Sequence, residues 1–158
     1  MKNMSHCVHP CPCAPAMVTK YQKRISGPLL DRIDIHVEVP PVDYENLSGD
    51  RFGESSASIR ACVQAAREIQ HHRFSNNGSS DIVCNADMRV GEIRQFCKLQ
   101  DEGQRLMRAA MTQLNLSARA YHRILKLVRT IADLAGSEEI QSFHLAEALQ
   151  YRPKLMMG

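Results

Sequence analysis

Three places in this sequence put charged or metal-binding side chains where they could do chemistry. Arg32 lies in SGPLLDRIDIH, between the Gly27-Pro28 turn and an alternating apolar run, flanked by Asp31 and Asp34. An arginine held rigidly at the edge of a domain can reach a neighbour's γ-phosphate and stabilise the charge of phosphoryl transfer. The alternative is a local salt bridge with Asp31 or Asp34. Arg119 sits in the first turn of the helix that Ser117 begins. The helix dipole favours anions at that end. A cation set against the field suits an approaching phosphate; the alternative is a solvated surface arginine. The third place is the N-terminal run where Cys7, Cys11 and Cys13 crowd with His6 and His9. Structural zinc sites usually present two ligand pairs separated by a folded segment. Here Cys11 and Cys13 have a single residue between them, so closure around one ion is strained. Half of a larger site and an irregular start both stay open.

The elements that would hold these groups follow from periodicity. In residues 114–136, LNLSARAYHRILKLVRTIADLAG, the positions Ala118, Tyr121, Leu125, Val128, Ala132 and Ala135 recur at steps of three and four, and Ile124 and Ile131 widen the stripe. This predicts an amphipathic helix with a broad buried face. Ser117 suits its N-cap and Gly136 its left-handed end. Arg119, Arg123 and Lys126 fall off the stripe. Earlier, residues 15–26 carry Met17, Val18, Tyr21 and Ile25 at helical spacing, with Pro15 in the first turn. Ile33, Ile35, Val37 and Val39 then alternate with Asp34, His36 and Glu38, the period of a half-buried strand, which Pro40-Pro41 ends. A strand cannot stand alone, so this one is expected to join a sheet encoded elsewhere.

Residues 43–54 read as a polar loop and residues 55–74 as a helix with Ile59, Val63, Ala66 and Ile69-Gln70 on its apolar side. Residues 76–80, NNGSS, read as a flexible connection. Residues 88–97 form a short helix. Asp101 and Gln104 have the spacing of a capping box before a helix that runs to about Leu114. Ser142 is expected to cap the last helix. From residue 55 onward the pattern is a bundle of four to five helices.

Composition narrows the classes. No apolar run approaches the roughly 20 residues of a membrane helix, and MKNMSHCVHP lacks the apolar stretch of a secretory signal. Cys62, Cys84 and Cys97 are scattered, as in a protein kept reduced. A cytoplasmic protein is expected. A net charge of +3 neither requires nor opposes nucleic acid. No GxxxxGK[ST] loop, HExxH or GxSxG motif is present. His71-His72 reads as a solvated pair on a charged helix end. The sequence contains no self-contained active site.

The runs KRISGPLLDRIDIHVEVPPVDY, GESS, CNADM, LNLSARAYHRILKLVRTIADLAGSEEI and HLAEALQYR together resemble the magnesium-chelatase-related AAA+ ATPases of the YifB/ComM type. The likeness extends from about Cys11 to the last residue and corresponds to the carboxyl third of such a protein. It implies a mainly α fold, the helical lid bundle of an AAA+ ATPase, preceded by a remnant of the α/β core with one strand. Its divisions would be an irregular segment at 1–15, the end of the core at 16–54 and the lid at 55–158. By resemblance, Arg32 matches the arginine finger inserted in trans into the next subunit, and Arg119 matches sensor 2 on the lid.

The family carries two cysteine pairs in this region, whereas this chain keeps Cys11-Pro12-Cys13 with Cys7 upstream, which counts against zinc. ATP and magnesium are implied for a complete protein, with no tight binding expected to this region by itself. Hexameric assembly, work on DNA such as branch migration in natural transformation, and no membrane association are implied as well. Insertion of metal into a porphyrin is not. A reading of another class also stands: a helical module that binds DNA or protein through Arg119, Arg123 and Lys126 without any ATPase role.

Overall fold

The computed structural model describes residues 13–22, 24, 29, 32–37, 39, 53–75 and 81–152. The chain forms two compact units, Met1–Ile33 with Val37–Gly53, and Asp34–His36 with Glu54–Gly158. In the first, α1 spans Pro15–Gln22, with Pro15 in the first turn as its spacing suggests. Met17 and Tyr21 on this helix are exposed.

The second unit is helical: α2 (Ser56–Ser75), a 3₁₀ turn (Asn85–Asp87), α3 (Val90–Phe96), α4 (Asp101–Gln113), α5 (Ala118–Leu134) and α6 (Ser142–Gln150). Helix α5 packs against α2, α3, α6 and the 3₁₀ turn, and α4 closes on α6. Its buried face is Ala120, Ile124, Leu125, Val128, Ile131 and Ala132, while the expected stripe ends Ala118 and Ala135 are exposed. Around it gather Phe74, Met88, Ile93, Met107, Ile140 and Leu145. Phe74 meets Phe96 edge to face, with centroids 5.8 Å apart. Burial pushes the Cys97 thiol up to about 12, so it stays a protonated core residue.

Both ends of α5 form as the sequence predicts. Ser117 Oγ accepts from the Ala120 amide at 3.2 Å. At the far end Gly136 takes φ +65°, and the Ser137 and Gly136 amides donate to the carbonyls of Ala132 and Asp133. This pairing satisfies carbonyls that the helix end would otherwise leave unmatched. Beneath the turn lies a buried polar cluster. Asp133 Oδ2 accepts from Arg73 Nη1 at 2.9 Å and Asn85 Nδ2 at 2.7 Å, and Oδ1 accepts from Arg73 Nη2 and, at 3.0 Å, from Arg129 Nε. Arg129 also donates to the carbonyls of Ser137 and Glu138, tying the helix to its own exit turn.

Among the described residues no strand ladder forms, the only bridge being an isolated parallel one between Leu99 and Ile140. The strand expected over residues 33–39 is one that pairs with a sheet encoded elsewhere, and within the described residues the His36 amide donates to the Tyr151 carbonyl at 2.8 Å. Other expectations are corrected. On α2 the apolar side is buried at Ala66, Gln70 and Phe74, but Ile59, Val63 and Ile69 are exposed. The predicted capping box at Asp101 does not form. Gln100 is the N-cap of α4, and the Gln104 amide group reaches back to the Leu99 carbonyl at 3.0 Å. Gln141, rather than Ser142, caps α6, and its amide donates to His144 Nδ1 at 3.1 Å. The expected loop at 43–52 and connection at 76–80 lie outside the described residues.

Two outcomes follow for stability. Removing the Asp133 carboxylate leaves two cations clustered in the interior, so Asp133→Ala should cost about 3–5 kcal/mol in denaturant unfolding. An unchanged midpoint would contradict this. Burial, then nearby Arg129, holds the His144 imidazole below its ordinary value. The unfolded chain takes that proton near about pH 6.5. The contribution of His144 is therefore complete above that pH and fades as the pH falls toward the lower folded value. Melting temperature should drop between about pH 7 and about pH 5, and less steeply in His144→Gln.

Candidate functional site

One face of α5 carries polar groups along its whole length. Arg119, Arg123, Lys126, Thr130 and Asp133 follow at helical steps of four, three, four and three, so they stand in a row. The lower part of the row is occupied within the unit. The Thr130 hydroxyl accepts from Asn85 Nδ2 at 3.1 Å and donates to the Lys126 carbonyl. Lys126 Nζ donates to the Ala86 carbonyl at 2.7 Å. Arg123 grips Asp34 with two bonds, one through Nε and one from Nη2 to Oδ2 at 2.7 Å. The Arg123 hydrogen bond holds the Asp34 carboxyl below the usual carboxylate range, and the charges of Arg123, Arg152 and Lys126 act in the same direction.

Arg119 heads the row and differs from the rest. It is exposed in the first turn of α5 and makes no hydrogen bond or ion pair among the described residues. It lines a groove of about 680 Å³ with Arg89, His122, Arg123, Lys126 and Asp34. Arg89 has a loose, exposed contact with Asp81 at 3.8 Å. The carboxylate of Asp34 is already matched by Arg123, so the open charge of this groove is positive. Such a groove can take an anion, with Arg119 contributing up to two parallel hydrogen bonds to phosphate oxygens.

Arg32 belongs to the other unit. It is exposed in a turn whose backbone closes from the Arg32 amide to the Leu29 carbonyl at 3.0 Å. Its guanidinium has no ion pair among the described residues. Of the two carboxylates considered as its local partners, Asp34 is held by Arg123, and Asp31 lies outside the described residues. Cys13 is an exposed thiol, while Cys7, Cys11, His6 and His9 lie outside the described residues. Among the described residues no group of three metal-binding side chains gathers.

The sequence reading missed what lies at the bottom of the row. Arg129 and Asp133 are one turn apart where the polar row borders the apolar face, which is the signal that could have exposed them. The other partners of Asp133, Arg73 and Asn85, lie 60 and 48 residues from it, and no local pattern predicts contacts over that span.

The family model described as magnesium chelatase, subunit ChlI C-terminal, matches residues 53–152, and the one described as magnesium chelatase, subunit ChlI, matches residues 2–47. The chain is 45% identical over 141 residues to competence protein ComM of Haemophilus influenzae, across 88% of this chain and 26% of that protein. It is 42% identical over 141 residues to protein YifB of Escherichia coli, across 89% of this chain and 26% of the relative. A protein of Mycobacterium bovis is 32% identical over 154 residues, across 91% of this chain and 30% of its own length. The chain thus spans about a quarter of the length of the first two relatives. No described helix is long and apolar enough to cross a membrane. With both family models covering it in succession, this chain belongs to the magnesium chelatase ChlI family and corresponds to the C-terminal region of proteins of the ComM and YifB type.

Proposed function

We propose that this chain is the lid and subunit-contact region of a cytoplasmic AAA+ motor, in which Arg119 reads the γ-phosphate of bound ATP and Arg32 completes the site of a neighbouring subunit. The observation that carries the proposal is the state of Arg119. It is an exposed cation at the positive end of α5, with no partner among the described residues, heading a row whose other polar members are bonded within the unit. A triphosphate is the anion this arrangement suits. The sequence has no GxxxxGK[ST] loop, so ATP and magnesium would be held by other parts of a complete protein, most simply in a ring such as a hexamer. Metal binding by the cysteine run is no part of the proposal.

DNA is the polymer we assign to such a motor. One relative bears the name competence protein, and branch migration during natural transformation is the work we extend from that likeness. The competing module, which would hold DNA or protein on the face of Arg119, Arg123 and Lys126, is less well supported. Two of its three cations already have internal partners, and engaged cations release few counterions on binding DNA.

In a complete protein carrying Arg32→Ala, ATP turnover should fall by about 10³-fold with the protein still folded. Turnover near that of the parent would sink the arginine-finger assignment. Arg119→Ala should likewise depress kcat, while Arg119→Lys, which keeps the charge but loses the planar fork, recovers part of it. Full activity of Arg119→Ala would remove the sensor role.

A further inference from the structure

Of residues 1–53, only Asp34–His36 groups with the helical unit. Three hydrogen bonds fasten this short segment there. The Asp34 carboxylate takes both bonds of Arg123, the second at 2.7 Å, and the His36 amide donates to the Tyr151 carbonyl at 2.8 Å. Asp34 follows Arg32 by two residues, and Arg123 follows Arg119 by four, which places it one turn along on the same face of α5. We infer that the Asp34–Arg123 pair links the sensor helix to the finger segment, making Arg123 and Asp34 positioning residues for Arg32. The inference rests on the reading of Arg32 and Arg119 given above.

The chemistry of the pair suits transmission better than support. Its side chains are 30% and 45% exposed, and an ion pair so accessible to water adds little to stability. A two-bond fork nonetheless fixes direction as well as distance. When Arg119 meets a phosphate, any shift of the first turns of α5 carries Arg123 with it. The fork passes that shift to Asp34, and two residues of backbone pass it to Arg32. Lysine could supply the charge at position 123 but not the planar geometry.

The test uses a complete, assembled protein with Arg123→Gln, Arg123→Lys, Asp34→Asn and the double variant Asp34→Asn with Arg123→Gln, alongside Arg32→Ala. ATP turnover is measured over a range of ATP concentrations, together with thermal unfolding. Each single substitution should lower kcat by about 10- to 100-fold, the scale of a misplaced catalytic group. The KM for ATP should stay within about twofold of the parent, with thermal unfolding unchanged. Arg123→Lys guards against a folding defect, because it keeps the stem and charge and should still lose rate. The double variant should be no slower than the worse single one, because both remove the same link. Parental turnover in the single variants, with Arg32→Ala inactive, would overturn the inference and leave the role of Arg32 standing. Losses that multiply in the double variant would overturn it as well. If Arg32→Ala itself turns over normally, the failure lies in the underlying reading of Arg32.

Discussion

The carboxylate of Asp133 is the group on which the helical unit depends. It lies in the interior with no exposed side-chain surface, between two guanidinium groups and the amide of Asn85. A charge buried in this way is tolerable only when its acceptor sites are filled, and here four hydrogen bonds fill them. Those bonds join α2, the 3₁₀ turn and α5, and through Arg129 they reach the turn that leads to α6. Burial works against the charge of Arg129, and Asp133 opposes that effect. An apolar core can slide or repack, whereas this cluster has one arrangement that satisfies it. It therefore sets the register of α5 against its neighbours.

Register matters because α5 is polar along one side from end to end. With Asp133 fixed at the foot, Thr130, Lys126 and Arg123 meet their partners in turn, and Arg119 is left at the head beside the open groove. The same helix thus combines a rigid, bonded base with one uncommitted cation at its tip. A group meant to respond to a ligand is best carried on such an element, since its orientation is settled before the ligand arrives. The energetics of the core and the readiness of the groove are two consequences of a single helix being locked at one end.

How much of this was legible beforehand depended on whether the signal was local. Ser117 and Gly136 could be read as the ends of α5 because caps act within one turn, and the apolar stripe between them marked the core. Position 119 stood out because a cation in a first turn opposes the dipole. The partnership of Arg123 with Asp34 spans 89 residues, whereas the local pattern offers Asp34 only Arg32 as a partner. The alternation over Ile33–Val39 is local in the same sense as the caps: it records which side chains would face a core, and a ladder needs a second strand, which is why it points to a sheet encoded elsewhere. Spacing sets the caps of α4 and α6 at Asp101 and Ser142, one residue after those the structure uses. Gln100 and Gln141 hold those positions through backbone conformation, and His144 Nδ1 accepts from the backbone amide of Gln141, a bond made back to the cap rather than by it.

The central claim is that Arg119 is held free for a terminal phosphate, and the most direct measurement is discrimination between nucleotides. In a complete protein, dissociation constants for ADP and for a non-hydrolysable ATP analogue would be compared in the parent and in Arg119→Ala. If Arg119 reads the γ-phosphate, the parent prefers the triphosphate and the variant loses that preference by about tenfold or more, the worth of one charge-assisted contact, while ADP affinity changes little. An unchanged ratio of the two constants would contradict the account and return Arg119 to the surface as an ordinary solvated cation.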